Sequence, residues 1–199
     1  MIDHEARRTA LAEIAADLVA TGGAEAATVR AVAAAAGFST KAVTHYFPDK
    51  RALMLLTYRH AALTSQARTD ASQPDDRGDL RALLHALLPV DSKVERDWRV
   101  WFSFWGIAIA DPEFASEQRE RMRHFVGQIA ECLAADPNYS HLAPNQTQSI
   151  ASMLLAGLIG IVTQVIFDAE AWPAALQKRA LDEVVARIAG QPGSSLEPS

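Results

Sequence analysis

Residues 28–39 read Thr28-Val-Arg-Ala-Val-Ala-Ala-Ala-Ala-Gly-Phe-Ser39, and residues 40–53 continue Thr40-Lys-Ala-Val-Thr-His-Tyr-Phe-Pro-Asp-Lys-Arg-Ala-Leu53. The stretch divides into two short helical runs, 29–36 and 40–47, joined by Ala36-Gly37-Phe38-Ser39, which is a helix-turn-helix pattern. Thr28 and Ser39 stand where side-chain caps belong, one residue ahead of each run. Gly37 supplies the positive φ that a sharp turn requires, and Ala36 is small enough for the two helices to cross closely. Val29, Val32 and Ala33 face inward, while Phe38, Val43 and Phe47 hold the second helix against its neighbours. That leaves Thr40, Lys41, Thr44, His45 and Tyr46 directed outward, all hydrogen-bonding types and none acidic. Such a face suits the major groove, where base edges offer donors and acceptors.

Working outward, a first helix is expected from about Asp3 to Ala20, its apolar stripe Leu11, Ile14, Ala15, Leu18 and Val19 repeating at helical spacing. Thr21-Gly22-Gly23 ends it. Pro48 stops the second short helix, and Asp49 caps a longer one over 50–71. After the polar break 72–79 (SQPDDRGD), helical patterns cover about 79–88, 92–110, 112–135, 146–169 and 173–189, with Pro112 and Pro173 near helix starts. Residues 136–145 read as a turn-rich loop and 191–199 as a frayed tail. No alternating β-branched segment occurs, and alanine, the best helix former, is abundant. The expectation is an all-α protein: a helix-turn-helix domain over 1–48, a helical body over 49–190 for effector binding and dimerisation, and a tail over 191–199.

The 199 residues are 49% hydrophobic and 22% charged, enough for one sizeable core and too apolar for a disordered chain. The net charge is -5, but residues 1–72 balance at +1 and residues 73–199 at -6, so the acidic excess leaves the first third free to meet DNA. One cysteine, Cys132, excludes an internal disulfide framework and a multi-cysteine zinc site. The six histidines show no metal-ligand spacing, and no nucleophile elbow, Walker or dinucleotide glycine pattern is present. No catalytic residue, metal or cofactor is therefore expected. The start MIDHEARRTA has no apolar core of a secretory signal, and the longest apolar run, Met153 to Val162, is about half a membrane span. A cytoplasmic protein without membrane contact is the expectation.

Residues 7–55 resemble the DNA-binding domain of the TetR family of bacterial repressors, through the Gly37-Phe38-Ser39 turn and the Tyr46-Phe47-Pro48-Asp49-Lys50 ending at this spacing. The resemblance implies a phosphate-contacting cap at Thr28 and a backbone contact at Tyr46. It also implies a phosphate held by Lys50 at a helix N-terminus. Ser39, Thr40, Lys41, Thr44 and His45 are the remaining candidates for base or phosphate contacts. Many family members carry Tyr where this chain has Thr44, so the operator sequence does not follow from the resemblance.

In the body, Trp98, Trp101, Phe102, Trp105 and Ile109 share one helix face. A core stripe is one reading. An effector surface of Trp98, Trp101, Phe102 and Trp105 is the other, since indole faces accept cations and stack on flat apolar ligands. Residues 92–125, with Asp97-Trp-Arg-Val-Trp-Phe-Ser-Phe-Trp105, resemble the choline-responsive betaine-pathway repressors within that family. This implies an organic cation such as choline or a polyamine as effector. Related bodies often carry an acid-Gly-Leu triplet where this chain has Ala156-Gly157-Leu158, which leaves lipophilic or aromatic effectors open. The wide apolar stripe with Leu154, Gly157, Leu158, Ile161 and Val165, and Gly160 beside it, is expected to pair two copies in a four-helix bundle. The whole reads as a ligand-responsive regulator, most simply a repressor on a palindromic operator. The alternatives are a helical ligand carrier without DNA binding and, less favoured, an enzyme.

Overall fold

The computed structural model describes residues 4–71 and 79–189, without the side chains of residues 68, 70 and 71. The described residues are helical and contain no strand. The order is α1 (His4–Gly22), α2 (Val29–Ala35), α3 (Thr40–Tyr46), α4 (Lys50–Ala71), α5 (Leu80–Ala86), α6 (Ser92–Ala110), α7 (Pro112–Ala135), α8 (Pro144–Phe167) and α9 (Ala174–Ala189). Each expected helix is found within about two residues of its expected ends. The loop after α7 holds a single 3-10 turn, Pro137–Tyr139, and the expected tail 191–199 lies outside the described residues. So does most of the polar break at 72–79.

The caps are those the residue types imply. Thr28 Oγ1 accepts the Ala31 backbone N–H at 3.1 Å, and Ser39 Oγ accepts that of Ala42 at 3.2 Å. Asp49 Oδ1 accepts from Ala52 at 2.7 Å. Each satisfies a donor that a helix start leaves unpaired. Gly37 has φ +69°, and its N–H and that of Phe38 return to the Ala34 and Ala33 carbonyls, which closes the turn. Pro144 opens α8, where its missing N–H is no loss.

The chain forms two compact units. Among the described residues, the first comprises 4–67 and 92–119, and the second 68–71, 79–91 and 120–189. In the first, Leu11, Ala15, Val19, Val32, Val43, Phe47, Leu53 and Tyr58 bury against Val100, Phe104 and Phe114. Fully burying side chains of this size contributes roughly 1.5–3 kcal/mol each, so Val43 and Phe47, both at 0% exposure, fix α3 to its neighbours. The unit that contains the helix-turn-helix thus extends past residue 48 and includes α6, which packs along α1.

In the second unit α8 runs along α9, and α5 packs on α9. By length and composition α8 alone among the described helices is apolar enough to cross a membrane. Its Leu154, Leu155, Leu158 and Val162 are buried within the fold, as in the core helix of a globular unit.

Candidate functional site

The outward face of α3 is built by its own register. Val43 points into the core, which turns Thr40, Lys41, Thr44 and His45 to solvent, with Tyr46 half-buried beside them. The hydroxyls differ in what they offer. Thr28 and Ser39 spend an oxygen lone pair on their caps and keep the O–H to donate, as a phosphate oxygen requires. Thr44 instead donates its O–H to the Lys41 carbonyl at 3.0 Å, which leaves it an acceptor for an exocyclic amine on a base edge.

Three residues beside this face were invisible to pattern reading. His4, at the first position of α1, lies with its ring 4.9 Å from that of Tyr46 and 6.0 Å from that of His45. Arg7 stands over the Phe38 ring at 5.1 Å, a cation–π contact stitching α1 to the turn. Glu25, in the α1–α2 connection, pairs with Lys50 at 2.7 Å. The lysine expected to hold a phosphate therefore already holds a carboxylate. No periodic signal marks such pairs, because the partners are far apart in sequence.

The tryptophan helix α6 belongs to the same unit. Trp98 is buried at 5% exposure, while Trp101, Phe102 and Trp105 are half-buried. Their rings form one run, with centroids 4.9 Å apart for Trp98 and Trp101, 5.5 Å for Trp98 and Phe102, and 4.7 Å for Phe102 and Trp105. Trp101 Nε1 donates to the Tyr58 hydroxyl at 2.9 Å, and that hydroxyl also meets Gln118 Oε1. Trp98 and Trp101 are thus partly committed to packing. Asp97, next to Trp98, is a buried carboxylate at 8% exposure with Arg96 Nη1 3.5 Å away. It places an acid beside the aromatic run that the Ala156 position does not provide.

Charged clasps tie α6, and the residues that follow it, to α1 and α4. Arg96 Nε meets Asp17 of α1 at 2.5 Å. At the other end Arg51, the residue after Lys50, makes a two-pronged bond to Asp111 at 2.9 Å for both contacts and a third to Glu113 at 2.8 Å. Hydrogen bonding from Arg51 holds the Asp111 carboxyl below its usual range, and the same bond, with that to Glu113, raises the Arg51 guanidinium.

The apolar seam expected to pair two copies lies elsewhere. Leu154 and Leu158 are fully buried, Ile161 is 7% and Val165 3% exposed, so these four belong to the core of one subunit. Gly157 sits where a Cβ would lie 2.7 Å from Val184 Cγ1 of the same chain, so the helix it admits is α9. A one-sided stripe reads identically whether the helix it meets is in the same chain or in a copy, which is why spacing alone misassigned it. The outward side of α8 carries Met153, Ala156, Gly160, Gln164 and Phe167, with Met153 at 45% and Phe167 at 85% exposure. Among the described residues no cluster of three or more His, Cys, Asp or Glu could hold a metal.

Residues 11–56 match the family of bacterial regulatory proteins of the tetR family, and residues 76–190 match the BetI-type transcriptional repressor C-terminal family. The HTH-type transcriptional regulator BetI of Stenotrophomonas maltophilia (strain R551-3) is 30% identical over 139 residues, 67% of each chain. A transcriptional regulator from Rhodococcus sp. Rha1 superposes with a TM-score of 0.79 at 27% identity, covering 89% of this chain and 93% of its own. A transcriptional regulator from Saccharomonospora viridis, solved in complex with choline, shares the fold with a TM-score of 0.80 at 21% identity, covering 91% of this chain and 95% of its own. With a capped helix-turn-helix, an acid-free outward face on α3 and a helical body matching over most of its length, the chain belongs to the TetR family, with a BetI-type C-terminal part, and is a ligand-responsive DNA-binding transcriptional regulator rather than an enzyme.

Proposed function

We propose that the regulator is a homodimeric, cytoplasmic repressor that reads a palindromic operator through Thr28, Ser39, Thr40, Lys41, Thr44, His45, Tyr46 and Lys50 of each subunit. The observation that carries the reading is the α3 face, exposed, acid-free and offering both donors and acceptors. One recognition helix spans too few base pairs for a unique site, and a two-fold dimer doubles the readout. The outward side of α8, with small Ala156 and Gly160 between the exposed Met153 and Phe167, fits a second copy of the same helix.

The effector in this reading is a quaternary ammonium compound of the choline kind, received against Phe102, Trp105 and the accessible part of Trp101, with Trp98 packed behind them. Aromatic faces attract such cations more than they attract a neutral isostere. The choline held by the Saccharomonospora viridis relative supports the same class. Because α6 is clasped to α1 through Asp17 and to α4 through Arg51, a shift of α6 moves both helices that carry the recognition element. A differential affinity of about 1–3 kcal/mol suffices for roughly 5–150-fold release. The test is fluorescence anisotropy of labelled duplex from the protein's own promoter, with scrambled duplex as competitor. Choline should release the operator while its neutral isostere 3,3-dimethylbutan-1-ol does not. Equal release by both would overturn the cationic effector, and no preference over scrambled DNA would overturn the operator reading.

A further inference from the structure

We infer that Glu25 is an intramolecular competitor for the operator phosphate: it holds Lys50 in the free protein and must be displaced when DNA binds, which lowers the regulator's affinity for DNA of any sequence. The inference rests on the proposed phosphate contact of Lys50. The two residues are 25 positions apart, yet Lys50 Nζ lies 2.7 Å from Glu25 Oε2. Glu25 is 90% exposed, so the carboxylate stands on the rim of the surface and is not a packed structural acid. The neighbouring acid, Asp49, has Oδ1 committed to the Ala52 N–H, which singles out Glu25 as the carboxylate on the ammonium.

An ammonium has three donors, but a carboxylate and a phosphate oxygen both at hydrogen-bond distance from one nitrogen bring two anions close together. Their repulsion makes the contacts mutually exclusive in energy even where the donors would reach both. The phosphate therefore exchanges with Glu25 instead of adding to it, and the freed carboxylate then faces the DNA backbone. An exposed pair of this kind is a modest brake, in the range of a few-fold in affinity. It acts on operator and non-operator DNA alike, because phosphate contacts carry no sequence information. Its consequence is regulatory: a lower starting affinity lets a small effector coupling clear the operator.

The experiment is a double-mutant cycle with Glu25→Gln and Lys50→Met, measured by anisotropy on the operator duplex and on a scrambled duplex between about 50 and 200 mM salt. Glu25→Gln should tighten binding to both duplexes by about two- to five-fold at low salt, the gain fading as salt screens the pair. In the Lys50→Met chain the same substitution removes only the direct repulsion of DNA, so its gain should be smaller by at least about twofold. A gain equal or larger in the Lys50→Met chain overturns the competition. Weaker binding by Glu25→Gln overturns it too, and makes Glu25 a residue that positions the lysine. If Lys50→Met alone leaves affinity and salt slope unchanged, the phosphate contact itself is wrong and the inference falls with it. Since Glu25 is on the surface, circular dichroism of the variant should match the parent.

Discussion

Gly157 offers a direct measurement of how closely α8 and α9 approach. Replacing it with Ala puts a methyl 2.7 Å from Val184 Cγ1, where carbon atoms normally rest 3.5–4.0 Å apart. The Val184 Cβ lies 3.8 Å away, already at ordinary contact. Relief therefore requires turning a β-branched side chain that is stiff at χ1, or parting the helices by about 1 Å. Overpacking of this kind costs about 1–3 kcal/mol. Against it stands the gain of about 1 kcal/mol for Ala over Gly inside a helix. Gly157→Ala should accordingly lose up to about 2 kcal/mol, or up to roughly 8 °C in Tm at 2–4 °C per kcal/mol for a chain of this size. In a Val184→Ala background the obstructing methyl is gone, and the same substitution should recover the helix gain of about 1 kcal/mol. The cycle is read by thermal unfolding at one fixed protein concentration, since an oligomer's Tm depends on it. A stabilisation of about 1 kcal/mol in both backgrounds would refute the reasoning, for it would mean that Gly157 faces open space.

Two further perturbations bear on α6 and its clasp. Trp101→Phe keeps an aromatic face but removes the five-membered ring with the N–H given to Tyr58, so the effector concentration for half release should shift by about 2–10-fold while effector-free operator affinity holds within about twofold; loss of operator binding in the absence of effector would assign Trp101 to the core alone. Asp111, its carboxyl held below the usual 3.8 mainly by the Arg51 hydrogen bond, contributes stability that is present above the ordinary carboxylate range and lost as pH falls through the lowered folded value. Asp111→Asn should therefore weaken the fold at neutral pH and flatten the acid limb that lies below the ordinary carboxylate range, followed by circular dichroism; an unchanged limb would show that the clasp is not formed in solution.

The helices were legible because their signals are local. Thr28, Ser39 and Asp49 cap where side-chain oxygens can reach a backbone N–H three residues on, and Gly37 takes the position between α2 and α3 that needs positive φ. The α3 face was equally legible, since burying Val43 and Phe47 fixes by helical period which side looks outward. The tryptophan run was found by the same period, yet its division into packed and accessible rings was not. That division depends on Tyr58, 43 residues away, arriving to accept from Trp101.

By itself, then, the sequence determined an all-α chain, its helix limits, the helix-turn-helix and the residues that helix presents. Those properties are set by neighbours within four residues along the chain. Tertiary structure alone decided that Leu154, Leu158, Ile161 and Val165 are interior, and that Gly157 admits the chain's own α9. It also decided that α6 is clasped to Asp17 and Arg51, and that Lys50 pairs with Glu25 across 25 positions of sequence. Apolar stripes and single charges state what a surface needs without naming the partner; only the folded chain, by bringing distant segments within a few ångströms, supplies one.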